Sequence, residues 1–220
     1  MDSSRRTRLL LLLVSTLAAP TWSCASRPPA FRPAGAEDAR RALGAWENAL
    51  ARADSLPAVR LLYDARLSEG LVKFPGTLAV NAQRDRLEAT LTGPFGSQLA
   101  HYASGILEGK GLHPIPLDAE ELRAVLAGVW RATPQVAGAR GDRVLMRFPG
   151  AERVEGVLDV TEARLESLHI SRPEADLVAT YAGVRDPWPE RITLEDRRSG
   201  RRVQLTLVGK EPADPAPTSP

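Results

Sequence analysis

Residues 85–102 read DRLEATLTGPFGSQLAHY, and they decide the fold. Leu87, Ala89 and Leu91 alternate with Glu88, Thr90 and Thr92. That period of two is the pattern of a half-buried strand. GPFG interrupts it. Pro94 fixes one dihedral, and Gly93 and Gly96 tolerate positive φ, so the chain can reverse tightly. SQLAHY then resumes as a second strand. Two strands joined by a tight turn make an antiparallel hairpin.

The same grammar extends outward in both directions. Upstream, GTLAVNA (76–82) puts Leu78 and Val80 on one face, and the polar NAQRD reads as the loop leading into Leu87. LLYDARLSEGLVKF (61–74) precedes it as a further strand run, and ILEGKG (106–111) follows as an edge. After a Gly/Pro-rich loop at 131–142 come RVLMRF, VEGVLDVTE, RLESLHIS, DLVATYAG, ERITLEDR and RRVQLTLVG. Arg198-Ser199-Gly200 is a tight-turn candidate between the last two. Strands that follow one another through short turns predict an antiparallel meander, and a sheet of about ten strands tends to curl.

Two helices punctuate the strands. From Ala36 to Asp54, Ala39, Ala42, Leu43, Trp46, Ala49, Leu50 and Ala53 fall on one stripe, with Arg40, Arg41, Glu47 and Arg52 opposite. A second helix of about 13 residues is expected from Asp118, with Glu121 completing a capping box. Leu122, Val125, Leu126, Val129 and Trp130 form its apolar side. The residues alone leave that stripe open between core and movable lid. The predicted fold is mainly β with α: an unclosed, half antiparallel β-barrel with helices packed on its concave face.

The ends have a different composition. Arg5, Arg6 and Arg8 precede LLLLLVSTLAA, an apolar run too short for a bilayer span of about 20 residues. Basic start, short apolar core and small exit residues describe a signal peptide over residues 1–23. Cys24, the single cysteine, stands at the exit, and Thr21-Trp22-Ser23-Cys24 resembles a bacterial lipobox. An unpaired thiol is a liability in an oxidising compartment, whereas a lipidated one is an anchor. Residues 24–35 then read as a lipidated, flexible tether, 36–209 as the folded domain, and 210–220 as a Pro-rich disordered tail. Ser26 stands where an aspartate would signal inner-membrane retention, so the expected location is the periplasmic face of the outer membrane.

Composition and motifs exclude several classes. Without residues 1–23 the formal charge of +2 falls to about zero. The arginines are scattered among acids, so no nucleic-acid partner is expected. His101, His113 and His169 have no metal partner at useful spacing. There is no nucleophile elbow, phosphate loop or dinucleotide fingerprint. Glu120 and Glu121 read as a solvated helix face. No metal site, cofactor or catalytic residue is expected.

Three patches carry a family resemblance. DRLEATLTGPFGSQLAHY resembles the strand, Pro-Leu-Gly turn and strand of the LolB family of outer-membrane lipoprotein receptors. HPIPLDAEELRAVLAGV (113–129) is similar to that family's helix, and PERITLEDRRSGRRVQLTLVG (189–209) to its closing hairpin. The resemblance implies the LolA/LolB fold, a helical lid over an apolar cavity, and no enzymatic activity. It implies binding of the acyl chains of other lipoproteins and their insertion into the outer membrane, with delivery by a soluble periplasmic carrier. The cavity residues would be Leu78, Val80, Leu87, Ala89, Leu91, Leu99, Leu122, Val125, Leu126 and Val129. Phe95 stands where the family has a protruding leucine and would be the membrane-insertion turn. The expected state is a monomer. The alternative is a lipid-binding or structural envelope lipoprotein of the same fold serving another machine.

Overall fold

The computed structural model describes residues 30–55, 58–70, 72–82, 87–103, 106–109, 117–150, 153–185 and 188–212. The expected signal peptide, Cys24, most of the tether, His113 and residues 213–220 lie outside them.

Helix α1 spans Ala36–Asp54. The Asp38 carboxylate accepts from the Gly35 N–H at 2.9 Å and so satisfies one free donor of the first turn. Ala42, Ala45, Trp46 and Ala49 are buried, so the Ala/Trp side of the helix faces the core, and Leu43 at the stripe's margin is 36% exposed. Five strands follow: β1 (Val59–Glu69), β2 (Val72–Ala82), β3 (Leu87–Thr92), β4 (Gln98–Ala103) and β5 (Ile106–Gly109). Helix α2 (Ala119–Ala127) then leads into seven more. These are β6 (Gln135–Arg140), β7 (Arg143–Phe148), β8 (Arg153–Asp159), β9 (Arg164–Ser171), β10 (Asp176–Arg185), β11 (Trp188–Asp196) and β12 (Arg201–Pro212).

All twelve strands form one antiparallel sheet, in the order β5-β4-β3-β2-β1-β12-β11-β10-β9-β8-β7-β6. Two meanders are therefore sewn together by one non-local pairing. β1 joins β12 with Tyr63 opposite Leu207 and Ala65 opposite Leu205. Strands β5 and β6 are the two outer edges and are not neighbours, so the barrel is unclosed.

Three expectations change. The run 61–74 is two strands, split at Gly70. The 131–142 loop contains β6, whose small residues carry little hydrophobic signal. Helix α2 has 9 residues rather than about 13. Gly128 takes φ +66° and its N–H bonds back to Ala124 O, a left-handed cap that ends the helix before Val129 and Trp130. Described residues outside 36–209 make contacts as well. Arg32 pairs with Ala139 on the β6 edge, the Phe31 ring lies 4.9 Å from the Arg140 guanidinium, and β12 continues to Pro212.

One face of the sheet holds the core. Leu61, Tyr63, Val80, Ala89, Leu168, Ile170, Leu177, Ile192 and Leu205 are all buried there. Helix α1 packs over β6 and β9, and α2 over β11. Trp46 meets Phe148 at 5.2 Å between ring centroids, and its indole N–H donates to Ala132 O at 3.3 Å. The antiparallel register places the β1–β2, β3–β4, β7–β8, β9–β10 and β11–β12 turns on one rim and the β6–β7 hairpin on the other.

Candidate functional site

The interior under α2 brings together most of the residues singled out from the sequence. Cross-strand pairs Leu78–Leu91, Val80–Ala89 and Ala82–Leu87 put β2 and β3 side chains in rows on the concave face. Val80, Leu87, Ala89, Val125, Leu126 and Val129 are buried in one cluster, with Leu78, Leu91 and Leu122 half-buried against it. Leu99 is not among them. β4 turns Ala100 and Tyr102 to that face, and Leu99 sits at a register shift beneath the turn. A Cβ on Gly93 would lie 2.9 Å from the Leu99 Cδ1, so the turn backbone rests on this leucine.

Helix α2 is seated by polar as well as apolar contacts. The Asp118 carboxylate accepts from the Glu121 N–H at 2.8 Å, and the Glu121 carboxylate accepts from the Asp118 N–H at 2.9 Å. The capping box expected from the sequence is present. Glu121 does more than cap, however. It is 3% exposed and accepts from the Arg172 guanidinium on the β9–β10 turn at 2.7 Å. The expected solvated face is wrong for this residue. A carboxylate so buried requires a paired cation, and that partner is 51 residues away in sequence. At the other end of α2, Gly128 backs onto Pro189 and the Tyr181 ring.

A cleft of about 160 Å³ between the end of α1, the Gly128 cap and the tops of β9 and β10 is bordered by Ala53, Val129, Leu165 and Tyr181. Ligand pockets usually run from roughly 300 Å³ upward, and this cleft is smaller than that. A larger, open hollow at the β7–β8 turn lies outside the interior, walled by Arg147, Arg153 and Glu155, with both arginines salt-bridged to the glutamate.

The concave wall also carries polar groups. Among the described residues, no group pairs with the buried hydroxyls of Tyr63, Tyr102 and Tyr181 or with the buried indole N–H of Trp188. Burial pushes the Tyr63 and Tyr181 hydroxyls well above the ordinary tyrosine value. Burial also raises Tyr102, with the Asp118 and Glu121 carboxylates adding to it and Arg123 opposing. All three remain neutral hydrogen-bond donors. Nothing in the local sequence marks them, because a tyrosine in a strand pattern reads as core.

The GPFG turn is built differently from the interior. Gly93 N–H donates to Ser97 O at 2.8 Å and closes it. Phe95 sits at its tip, fully exposed, with φ +65°. Both features cost free energy for a bulky residue, since left-handed backbone is unfavourable with a Cβ and an aromatic ring in water is poorly placed. The first half of β2 lies beside this turn, and there Val72 is 52% and Phe74 39% exposed. One rim therefore carries three exposed large apolar side chains.

The histidines have modest roles. His101 Nδ1 is 3.0 Å from Thr90 Oγ1, and His169 Nε2 is 2.5 Å from an Asp176 carboxylate oxygen. Among the described residues, no group of three or more His, Cys, Asp or Glu side chains could hold a metal, and no helix is long and apolar enough to cross a membrane.

The architecture matches known structures. A LolA superfamily protein from Nitrosomonas europaea aligns with TM-score 0.52 and 13% identity, over 77% of this chain and 94% of that one. A putative outer membrane lipoprotein-sorting protein domain from Vibrio parahaemolyticus aligns with TM-score 0.52 and 10% identity, over 79% and 92%. The fold is that of the LolA superfamily. The likeness is one of fold and does not single out LolB. No protein-family model matches the sequence, nor does any curated protein. The unclosed sheet, the helices on its concave face and the apolar interior are thus the LolA-like arrangement.

Proposed function

We propose that this chain is a lipid-anchored envelope lipoprotein without enzymatic activity. In this reading its apolar interior binds the acyl chains of other lipoproteins and helps insert them into the outer membrane. Cys24 carries the anchor, and a soluble periplasmic carrier of similar fold delivers the cargo. Val80, Leu87, Ala89, Val125, Leu126 and Val129 line the acyl site when α2 lifts, with Leu78, Leu91 and Leu122 at its margin.

The observation that carries the reading is Phe95. A fully exposed phenylalanine at positive φ has two unfavourable features and no compensating contact within the fold. Strained, exposed apolar residues mark contact sites. With Val72 and Phe74 on the same rim, it forms an apolar edge suited to a bilayer surface.

The test is a liposome transfer assay with cargo binding measured separately. Phe95→Glu should leave folding and acyl binding intact and reduce delivery. Phe95→Gly should also lose delivery, yet raise stability by about 1 kcal/mol because glycine accepts the left-handed backbone. Normal transfer by both variants would refute the role of the turn, and unfolding of Phe95→Glu would show the ring to be core.

A further inference from the structure

We infer that the interior selects acyl chains joined through ester carbonyls, and that the hydroxyls of Tyr63, Tyr102 and Tyr181 are the donors that receive those carbonyls. The inference rests on the acyl-binding reading and deepens it. A purely hydrocarbon ligand needs a purely hydrocarbon wall. This wall instead carries a phenolic donor on β1, on β4 and on β10, each buried and none satisfied by a described residue.

The placement of the three is systematic. Tyr63 pairs with Leu78 and Leu207, Tyr102 with Ala89, and Tyr181 with Ile192. All share the concave face. Tyr63 is central, with Tyr102 three strands to one side and Tyr181 three strands to the other. Three strand spacings span about 14 Å of sheet, and rings pointing inward from a curved sheet bring their hydroxyls closer than that. The lid helix covers the outer two. Tyr102 lies in the field of Asp118, Glu121 and Arg123 at the start of α2, and Tyr181 lies under the Gly128 cap at its end. Trp188 supplies a fourth donor farther up β11.

The chemistry narrows the ligand. A neutral phenol donates to an acceptor oxygen, and an ester carbonyl is one that brings no charge. A free carboxylate would bring a negative charge next to the Asp118 and Glu121 carboxylates, and the buried Arg172 is already engaged with Glu121. The fitting class is therefore a diacylglyceryl ester. Two sources present it, a phospholipid and the diacylglyceryl-cysteine of a lipoprotein.

The experiment compares the wild type with Tyr63→Phe, Tyr102→Phe and the double variant. The probes are a diacylglyceryl-cysteine peptide, a phospholipid with the same chains, a dialkyl-ether analogue of that phospholipid and the free fatty acid. Each substitution should weaken the ester probes about 3- to 10-fold, the worth of one hydrogen bond, and leave the ether analogue unchanged. The peptide binding more tightly than the phospholipid would assign the lipoprotein source, and the reverse would assign the phospholipid. Both results support ester selection. Thermal midpoints of the ligand-free variants should stay level or rise, since the hydroxyl removed has no partner among the described residues. A lower midpoint would mean that the hydroxyls are already bonded, and would overturn the inference. Equal losses for ester and ether, or tighter binding of the free acid, would also overturn it while leaving the acyl site standing. Failure of every probe to bind the wild type would overturn both.

Discussion

Replacing Arg172 by alanine should release the lid helix without unfolding the sheet. Glu121 is 3% exposed and receives the Arg172 guanidinium at 2.7 Å. Removing one partner of a buried pair typically costs about 3–5 kcal/mol, because the remaining charge is stranded. The Arg172 side chain is 11% exposed and so near the rim, which points to the low end, about 3 kcal/mol. Helix α2 has 9 residues and is too short to be stable by itself. Its seat is otherwise the burial of Val125 and Leu126, worth roughly 1.5–3 kcal/mol per side chain. The substitution therefore removes a large share of what holds the lid. The β9–β10 turn should persist, since the Arg172 N–H to Ala175 O bond at 2.8 Å is backbone. A loss of about 3 kcal/mol shifts the closed-to-open ratio roughly 100-fold. Amide hydrogen exchange reads it directly: α2 amides should exchange about 100-fold faster while β8 and β9 keep their protection. Adding Glu121→Gln should restore part of the protection by removing the stranded charge. Uniform loss across the sheet would show the pair to be part of the global core, and unchanged α2 exchange would show that it does not hold the lid. Either result refutes the reasoning.

Three further outcomes are expected. Burial pushes the Asp196 carboxyl up, but the Ser199 hydroxyl and nearby backbone N–H groups, including that of Arg198, outweigh it and hold it below the ordinary value. Its stabilising contribution is thus full above the unfolded pKa of about 4 and fades as pH falls through the lower folded value. Asp196→Asn should cost about 1 kcal/mol at neutral pH, and its thermal midpoint should converge on the wild type in acid. Cys24→Ala should leave the domain folded and out of the membrane fraction, and membrane fractionation checks it. The anchor also has a geometric consequence. The chain enters the fold at Phe31 on the rim opposite Phe95, and the seven residues from Cys24 to there reach about 25 Å. The 11-residue β1 alone spans about 37 Å. The tether is the shorter of the two, so lengthening it with Gly/Ser should raise delivery in the transfer assay, and deleting residues from it should reduce delivery.

What the sequence by itself determined is local. Alternation in 87–92 and 98–103 makes strands whatever surrounds them, and GPFG turns the chain between them. The stripe from Ala39 to Ala53 makes a helix, and Asp118 with Glu121 starts another. Each depends only on residues within a few positions, where backbone sterics and side-chain period act directly. The tertiary structure decided everything that joins distant segments. Alternation gives a strand two faces but names no partner, so the pairing of Tyr63 with Leu207 that sews the two meanders together is invisible in either segment. Strand β6 escapes the pattern because Gly138 lacks a side chain where Phe31 and the Arg32 carbonyl pack against it, and its hydrogen bonds to β7 do the work that apolar alternation does elsewhere. Glu121 reads as solvated until Arg172 arrives from the β9–β10 turn. The three tyrosines carry no local signal, and only the assembled sheet buries their hydroxyls without a partner among the described residues. Burial and pairing are properties of the assembled sheet, and they are what turn an apolar interior into a candidate binding site.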